Sequence, residues 1–299
     1  MSEISVVVPI YNGEKFIPTL IDTLCNQTYK SFEVLLVEDH SSDNSKELIK
    51  EICSKDNRFI LLEPNDKRGT AVRGQEYALP FCHGKYHFFM SQDDFLDSDL
   101  FEKCIDKLEN YGADVVIPNC ILFDGVTNKK LGIYPENNDY TVTLDSKSAF
   151  ELSLDWRIHG FTMESMKLFN KVGLKAEYYN SEEYYKRILY LKAERIMFAN
   201  SNFYYRQNNP DAITKGRKAI QVDILTTDFL LYKVMAKEGF SLEICKERLK
   251  YIMNEYFKWY LRGIRYGLWY KNNFYLLRSL FDLFIPIIKE NLKLKGREK

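Results

Sequence analysis

The sequence predicts an α/β fold, a mostly parallel sheet with flanking crossover helices, followed by a helical C-terminal region. Three observations predict it. Short β-branched or aromatic runs alternate with helix-period segments through about residue 125. The runs ISVVVPI (4–10) and EVLLVED (33–39) are nearly continuous in apolar residues, as strands buried on both faces are. Past Thr214 the spacing is helical throughout.

The elements follow in order. After the first strand, Phe16, Leu20 and Leu24 recur at four-residue spacing, with Pro18 early, where a first helical turn tolerates it. After the second strand, Ser41, Ser42 and Asp43 are cap candidates for a helix carrying Leu48, Ile49 and Ile52. FILLEP (59–64) reads as a third strand, TAVRGQEYALPFC as a helix, KYHFFMS (85–91) as a fourth strand, DSDLFEKCIDKLENYG as a helix and ADVVIPN (113–119) as a further strand. From about Asp145 the segments read as helical and aromatic, including WRIHGFTMESMKLFN (156–170) and SEEYYKRILYLKAERIMF (181–198). Leu249, Ile252, Met253, Tyr256, Tyr260 and Ile264 then form one apolar helical stripe, with Lys250, Lys258, Arg262 and Arg265 largely outside it. The seam is expected in NNPDAITKGRK (208–218), which separates an α/β domain (1–214, in halves of about 1–125 and 126–214) from the helical region (215–299).

Composition narrows the function. At 299 residues, 45% hydrophobic and 28% charged, the chain buries a real core. Lys plus Arg equals Asp plus Glu at 42 each, so the basic surplus that non-specific nucleic-acid binding needs is missing. The charge is unevenly placed, however: Cys245–Lys299 holds 13 Lys or Arg against 5 Asp or Glu. Six scattered cysteines, without a CxxC pair or Cys/His cluster, suggest reduced thiols rather than a zinc site or disulfide framework. MSEISVVVPIYNGE has neither the basic region nor the apolar length of a secretory signal. LFIPII (283–288) falls well short of the roughly 20 residues a membrane-spanning helix needs. A cytoplasmic protein is expected.

Parallel sheets place ligands at the carboxyl ends of their strands. Here Asn12 follows the first strand, Glu38 and Asp39 end the second, Asn65 and Asp66 follow the third, and Asp93 and Asp94 follow the fourth. Adjacent carboxylates after a buried strand repel, and a divalent cation sharing them with substrate phosphates relieves that repulsion. The plainer reading of QDD is that its acids open the next helix, at the positive end of the helix dipole.

The stretch ISVVVPIYNGEKFIPTLIDTLCNQTYKSFEVLLVEDHSSDNS closely resembles the opening of family 2 glycosyltransferases, which have the GT-A fold, a Rossmann-like sheet with flanking helices. The match covers roughly residues 1–210. Pro9, Tyr11 and Asn12 match the family's first motif; Val37, Glu38, Asp39, Ser41, Asp43 and Ser45 match its second, with Glu38 and His40 in place of the usual Asp and Gly. The resemblance implies that Asp39 accepts a hydrogen bond from the nucleobase, with Pro9, Tyr11 and Glu14 walling the base pocket. A carboxylate suits an imide N–H, which uracil and thymine possess. FFMSQDDF aligns with the family's Asp-x-Asp-Asp strand end, Ser91 replacing the first Asp. By resemblance, then, Asn12, Gln92 and Asp93 belong to the nucleotide-sugar site, Asp93 is the ligand of Mn²⁺ or Mg²⁺, and Asp94 is a supporting carboxylate.

The family also places an acidic pair about 90 residues further on, opening a helix and supplying the catalytic base; NSEEYYKRILYL offers Glu182 and Glu183. A base on the face opposite the departing nucleotide takes the acceptor hydroxyl's proton, which inverts the anomeric configuration. Either Glu can fill the role. Ordinary helix chemistry, Ser181 as N-cap with two Glu in the first turn, is the competing account. FYYRQNNPDAIT (203–214) resembles a family segment in which Arg206 would pair with the leaving diphosphate. Where the family reads Ala-Arg-Asn-x-Gly, this chain has Thr70 to Gly74, with Arg73 either facing a phosphate or solvated. Trp156 and His159 lie where acceptor-facing residues occur, although a lone His among aromatics is more often structural.

No GxGxxG follows the first strand and no GxxxxGK[ST] occurs, which sets aside dinucleotide oxidoreductases and P-loop phosphotransferases. A sugar nucleotidyltransferase would carry a Gly-rich, basic first loop. The expectation is a metal-dependent inverting glycosyltransferase moving a sugar from an NDP-sugar, a UDP-sugar first, to a glycan or lipid-linked acceptor in surface polysaccharide assembly. The alternative is a catalytically degenerate nucleotide-sugar-binding scaffold of the same fold. The basic, aromatic tail has two readings: a peripheral membrane contact, or a packing or homo-oligomer bundle with a solvated basic face.

Overall fold

The computed structural model describes residues 2–134, 140–176, 181–207, 220–265 and 283–296. They form two compact units, 1–176 with 185–212, and 177–184 with 213–299. Among the described residues, the first unit is built on one ten-stranded sheet.

Its opening half runs β1 (Ile4–Ile10), α1 (Ile17–Cys25), β2 (Phe32–Glu38), α2 (Ser45–Lys55), β3 (Phe59–Leu62), α3 (Ala71–Ala78) and β4 (Tyr86–Phe89). It continues through β5 (Phe95–Leu96), α4 (Leu100–Asn110), β6 (Val115–Asp124), β7 (Lys130–Tyr134), β8 (Thr143–Leu144), α5 (Ser146–Leu154), β9 (Met163–Ser165) and α6 (Met166–Val172). Helix α7 (Ser181–Lys192), whose first four residues group with the second unit, precedes β10 (Ile196–Gln207). The strand order is β3-β2-β1-β4-β9-β6-β10-β5, with β7 on β6 and β8 on β10.

The predicted parallel arrangement holds across β3, β2, β1 and β4. Beyond β4 the sheet becomes mixed: β9 lies antiparallel to both β4 and β6, while β6 and β10 are parallel. β2 is buried along its whole length and β1 at every residue but Pro9, which explains their unbroken apolar runs. Phe101 of α4 meets Phe32 and Phe88 edge-on at 5.4 and 5.5 Å, clamping β2 and β4 to that helix. Each such buried aromatic contributes about 1.5–3 kcal/mol over its exposed state.

Two segments read as helical are partly strand. Within 156–170 only Met166–Val172 is helical, after β9; within 181–198 the helix stops at Lys192 and Ile196 starts β10, the longest strand. Phe198 and Phe203 are buried in opposite halves of β10, on either side of a register jump between Ala199 and Asn202. That bulge breaks the two-residue alternation by which a strand is recognised.

The second unit is helical among its described residues: α8 (Ile220–Lys237), α9 (Leu242–Arg265) and α10 (Ile285–Gly296). Leu249, Ile252 and Tyr256 of α9 are buried, as the predicted stripe requires, while Met253 and Tyr260 are half-buried and Trp259, outside that stripe, is buried; Tyr256 stacks on Phe284 at 5.5 Å. Arg248 pairs with Asp228 between α9 and α8. The expected seam at 208–218 lies outside the described residues. No helix among them is long and apolar enough to cross a membrane.

Candidate active site

The carboxyl ends of β1, β2 and β4 are sewn into one surface by side chains that bond backbone. β1 pairs with β4 only through Val7↔Phe89, so Pro9 falls just past the shared ladder, where its missing N–H costs no strand bond. The strands part there and Gln92 fills the gap. Its Oε1 accepts from Tyr11 N at 2.9 Å and its Nε2 donates to Tyr11 O at 3.0 Å, as a neighbouring strand residue would. Gly13 makes this possible, since a Cβ there would stand 2.5 Å from Gln92 Oε1.

The loop after β1 is tied to the loop after β2. Asn12 (φ +49°) donates its N–H to Ser41 Oγ at 3.0 Å and its Oδ1 accepts from Ser42 N at 2.8 Å. Gly13 N donates to Ser45 Oγ at 2.9 Å, Glu14 N to Asp43 Oδ2 at 3.0 Å, and Asn44 N to Glu14 Oε2 at 3.1 Å. The side chains of Asn12, Glu14 and Gln92, expected at the ligand, each also carry a bond that builds the scaffold around it. Glu38 does the same: its carboxylate accepts from His40 N at 3.2 Å and Ser41 N at 2.6 Å. His40 sits at φ +59°, a left-handed position that favours the family's usual Gly, and its Nε2 is anchored 3.0 Å from Pro64 O.

Asp39 is 7% exposed and caps the loop before α3, accepting from the Arg68 and Gly69 amides, the latter at 2.7 Å. Each carboxylate oxygen has two acceptor sites, so capacity for an imide N–H remains. Lys67 Nζ lies 3.7 Å from the centre of the Tyr11 ring, and Lys67, Arg68, Arg73, Glu76 and Tyr77 line an open pocket of about 480 Å³. Lys67 and Arg68 carry no motif; their signal is only that they follow the third strand. Gly74 lets α3 close on Pro9, whose Cβ would lie 3.0 Å from an added methyl.

The acidic run after β4 divides in two. Asp97 accepts from Asn202 Nδ2 at 2.6 Å, Asn202 N at 3.2 Å and Tyr204 OH at 3.0 Å, and Asp99 accepts from Ser201 Oγ at 2.6 Å. These two hold the β10 bulge. Asp93 and Asp94 stay at the strand end, where β10 delivers Arg206: its N–H donates to Asp94 Oδ1 at 3.1 Å and its Nε to Asp93 O at 3.1 Å. The guanidinium lies 4.7 and 5.4 Å from the centres of the Phe123 and Phe16 rings. Asp94 is 1% exposed; burial first, and the neighbouring Asp93 charge second, push its carboxyl well above the usual range.

These groups set what kind of cation site the strand end can form. Among the described residues no cluster of three or more ligating side chains occurs. What is present is the half-buried Asp93 and, beside it, Asp94 Oδ2, an interior oxygen without a hydrogen-bond donor. That set fits Mg²⁺ or Mn²⁺ arriving with substrate phosphates, which needs only one or two carboxylates, and not a self-sufficient protein cage.

Glu182 and Glu183 lie half-buried in the first turn of α7, which opens at Ser181. His159 is structural: 1% exposed, its Nε2 lies 2.8 Å from Pro118 O, and burial lowers its pKa to about 4. Trp156, 38% exposed at φ +58°, has the Arg187 guanidinium 5.6 Å from its ring centre.

Comparison with known proteins gives a consistent answer. The model of "Glycosyl transferase family 2" matches residues 5–173. Glycosyltransferase GlyG of Streptococcus pneumoniae serotype 4 is 30% identical over 227 residues, covering 70% of this chain and 72% of GlyG. Staphylococcus aureus TarS, a poly(ribitol-phosphate) β-N-acetylglucosaminyltransferase, is 23% identical over 245 residues; the match covers 76% of this chain and 41% of TarS. The crystal structure of TarS residues 1–349 with UDP-GlcNAc superposes with a TM-score of 0.67 at 17% identity, covering 86% of this chain and 73% of that one.

Proposed function

Because this chain belongs to glycosyl transferase family 2 and is a glycosyltransferase, we propose that it transfers a sugar, with inversion, from a UDP-sugar to a hydroxyl of a glycan or lipid-linked acceptor in surface polysaccharide assembly. The observation that carries this is the meeting of Asp39, Tyr11, Asp93 and Arg206, from four separate strand ends, on one stitched surface. Asp39 would accept the uracil imide N–H; Tyr11 and the cations of the 480 Å³ pocket would flank base and phosphates. Arg206, held by backbone carbonyls and two aromatic rings, would meet the leaving diphosphate. Glu182 or Glu183 would remove the acceptor's proton. A bound Mg²⁺ or Mn²⁺ would offset diphosphate charge and so improve the leaving group. The UDP-GlcNAc complex and the acceptor polymer named for TarS support the donor and acceptor classes.

A thermal-shift screen of nucleotide-sugars tests this. A UDP-sugar at 100 times its Kd adds about 2.7 kcal/mol to native-state stability, so at least one is expected to raise Tm, and more with Mn²⁺ than without. No shift with any UDP-sugar, with or without metal, would remove the proposal.

We further propose a peripheral site on the inner face of the membrane, reached through α9. Its exposed side carries Lys250, Lys258, Arg262 and Arg265 together with Tyr251, Phe257 and Leu261, the last 62% exposed. A basic and apolar face of that kind suits anionic lipid. Flotation with phosphatidylglycerol vesicles is expected for the native protein, to weaken with salt, and to be lost on charge reversal by Lys258→Glu with Arg262→Glu. Equal flotation of both forms counts against α9 as the contact, and no flotation of the native protein counts against the membrane and in favour of a packing face.

A further inference from the structure

The interior of the first unit holds a chain of polar groups that the proposed reaction does not use. His87 of β4 and Glu164 of β9 are both 0% exposed, Gln75 of α3 is 2% exposed and Lys186 of α7 is 8% exposed. Gln75 Nε2 lies 3.3 Å from His87 Nε2, which leaves the His87 proton on Nδ1, 2.9 Å from Glu164 Oε1. The same oxygen accepts from Lys186 Nζ at 2.7 Å. Glu164 Oε2 accepts from Thr162 Oγ1 at 2.6 Å, and that hydroxyl accepts from Lys186 Nζ at 3.1 Å. The charges balance: burial holds His87 neutral, and although burial opposes ionisation of Glu164, Lys186 overcomes it and keeps the carboxylate below its usual range.

A buried ion pair is a poor way to gain stability, since apolar side chains of similar volume serve as well or better. What it does supply is direction. Apolar packing tolerates repacking, whereas hydrogen bonds of fixed length allow one rotation and one height of the helix that carries Lys186. Lys186 is four residues after Glu182 and three after Glu183, one turn along the same helix. Gln75 stands on the helix that follows the Arg68 and Gly69 amides holding Asp39, and His87 on the strand that runs out to Asp93.

We propose that Gln75, His87, Glu164, Thr162 and Lys186 form a positioning frame that sets the rotation of α7, and so the direction in which its first turn presents Glu182 and Glu183. This rests on the reading that α7 supplies the base.

The test is the paired substitution Glu164→Leu with Lys186→Met in the full chain, which removes both charges and leaves neither unpaired. The expected result is a folded protein with native UDP affinity by calorimetry, an unchanged donor KM, and a kcat lower by about 10- to 100-fold, the loss that a small misplacement of a reacting group produces. Thr162→Val, a smaller change, is expected to lower kcat by about 3- to 10-fold by the same reasoning, at near-native Tm. Native kcat in the paired variant overturns the frame. If the paired variant does not fold, native kcat in Thr162→Val overturns it. The underlying reading fails differently: native kcat in both Glu182→Gln and Glu183→Gln removes the base from α7, whereas collapse of one of those with native kcat in the paired variant removes the frame alone.

Discussion

Asp93→Ala is expected to lower donor turnover by about three orders of magnitude, equivalent to about 4 kcal/mol of charge stabilisation lost in the transition state. The same substitution should erase the increment that Mn²⁺ adds to UDP affinity, while Tm stays near native, because Asp93 is half-buried and the variant keeps the backbone carbonyl that accepts from Arg206 Nε. Asp97→Ala, four residues on, is the control. It leaves Asn202 and Tyr204 without their acceptor, costing about 1–3 kcal/mol, and is expected to lower Tm without removing metal dependence. Sugar transfer assayed by UDP release across a Mn²⁺ titration separates the two. Full activity in Asp93→Ala, or an unchanged response to Mn²⁺, removes the metal assignment.

That contrast between Asp93 and Asp97 also marks how far the sequence could be read. β1 and β2 were legible because strands buried on both faces cannot hide their composition, and the acids were legible because they end such strands. Which acid does what was not. Asp97 and Asp99 find their partners more than 100 residues away, on the β10 bulge, and nothing in FFMSQDDFLDSDL announces that. Gln92, Asn12 and Glu14 occupy motif positions, but the sequence does not show that their side chains also bond backbone in neighbouring loops. Side-chain-to-backbone bonds leave no complementary residue type to recognise. His40 is the reverse case: its departure from Gly stood out in the sequence, and the structure supplies the reason, a positive φ that its Pro64 contact helps to hold. β9 and the first residues of β10 fell in segments read as helix: β9 is only three residues long, and in β10 a bulge between Ala199 and Asn202 interrupts the alternation by which a strand is recognised. Arg206 was placed by resemblance, and it is β10's extension past the bulge that carries it to Asp93 and Asp94.

Of Glu182→Gln and Glu183→Gln, one is expected to lower kcat by about 10²- to 10⁴-fold, the range for loss of a positioned general base, and the other by less than about tenfold on the same reasoning. The asymmetry follows from the helix. Adjacent residues on α7 point about 100° apart, so only one carboxylate of the pair can face an acceptor hydroxyl. Gln keeps size and hydrogen-bonding capacity but removes the charge, so any dipole contribution, about 0.3–1 kcal/mol at a helix N-terminus, is lost in both variants alike and lowers Tm equally. Stability therefore cannot imitate the catalytic difference. Donor KM should hardly move in either, since the base acts on the acceptor. The acid limb of the kcat/KM profile, which reports protonation of the base in free enzyme, should vanish only in the variant that loses kcat. Equal, small effects from both substitutions, with the acid limb intact, would place the base on another element and leave the two glutamates as ordinary first-turn acids.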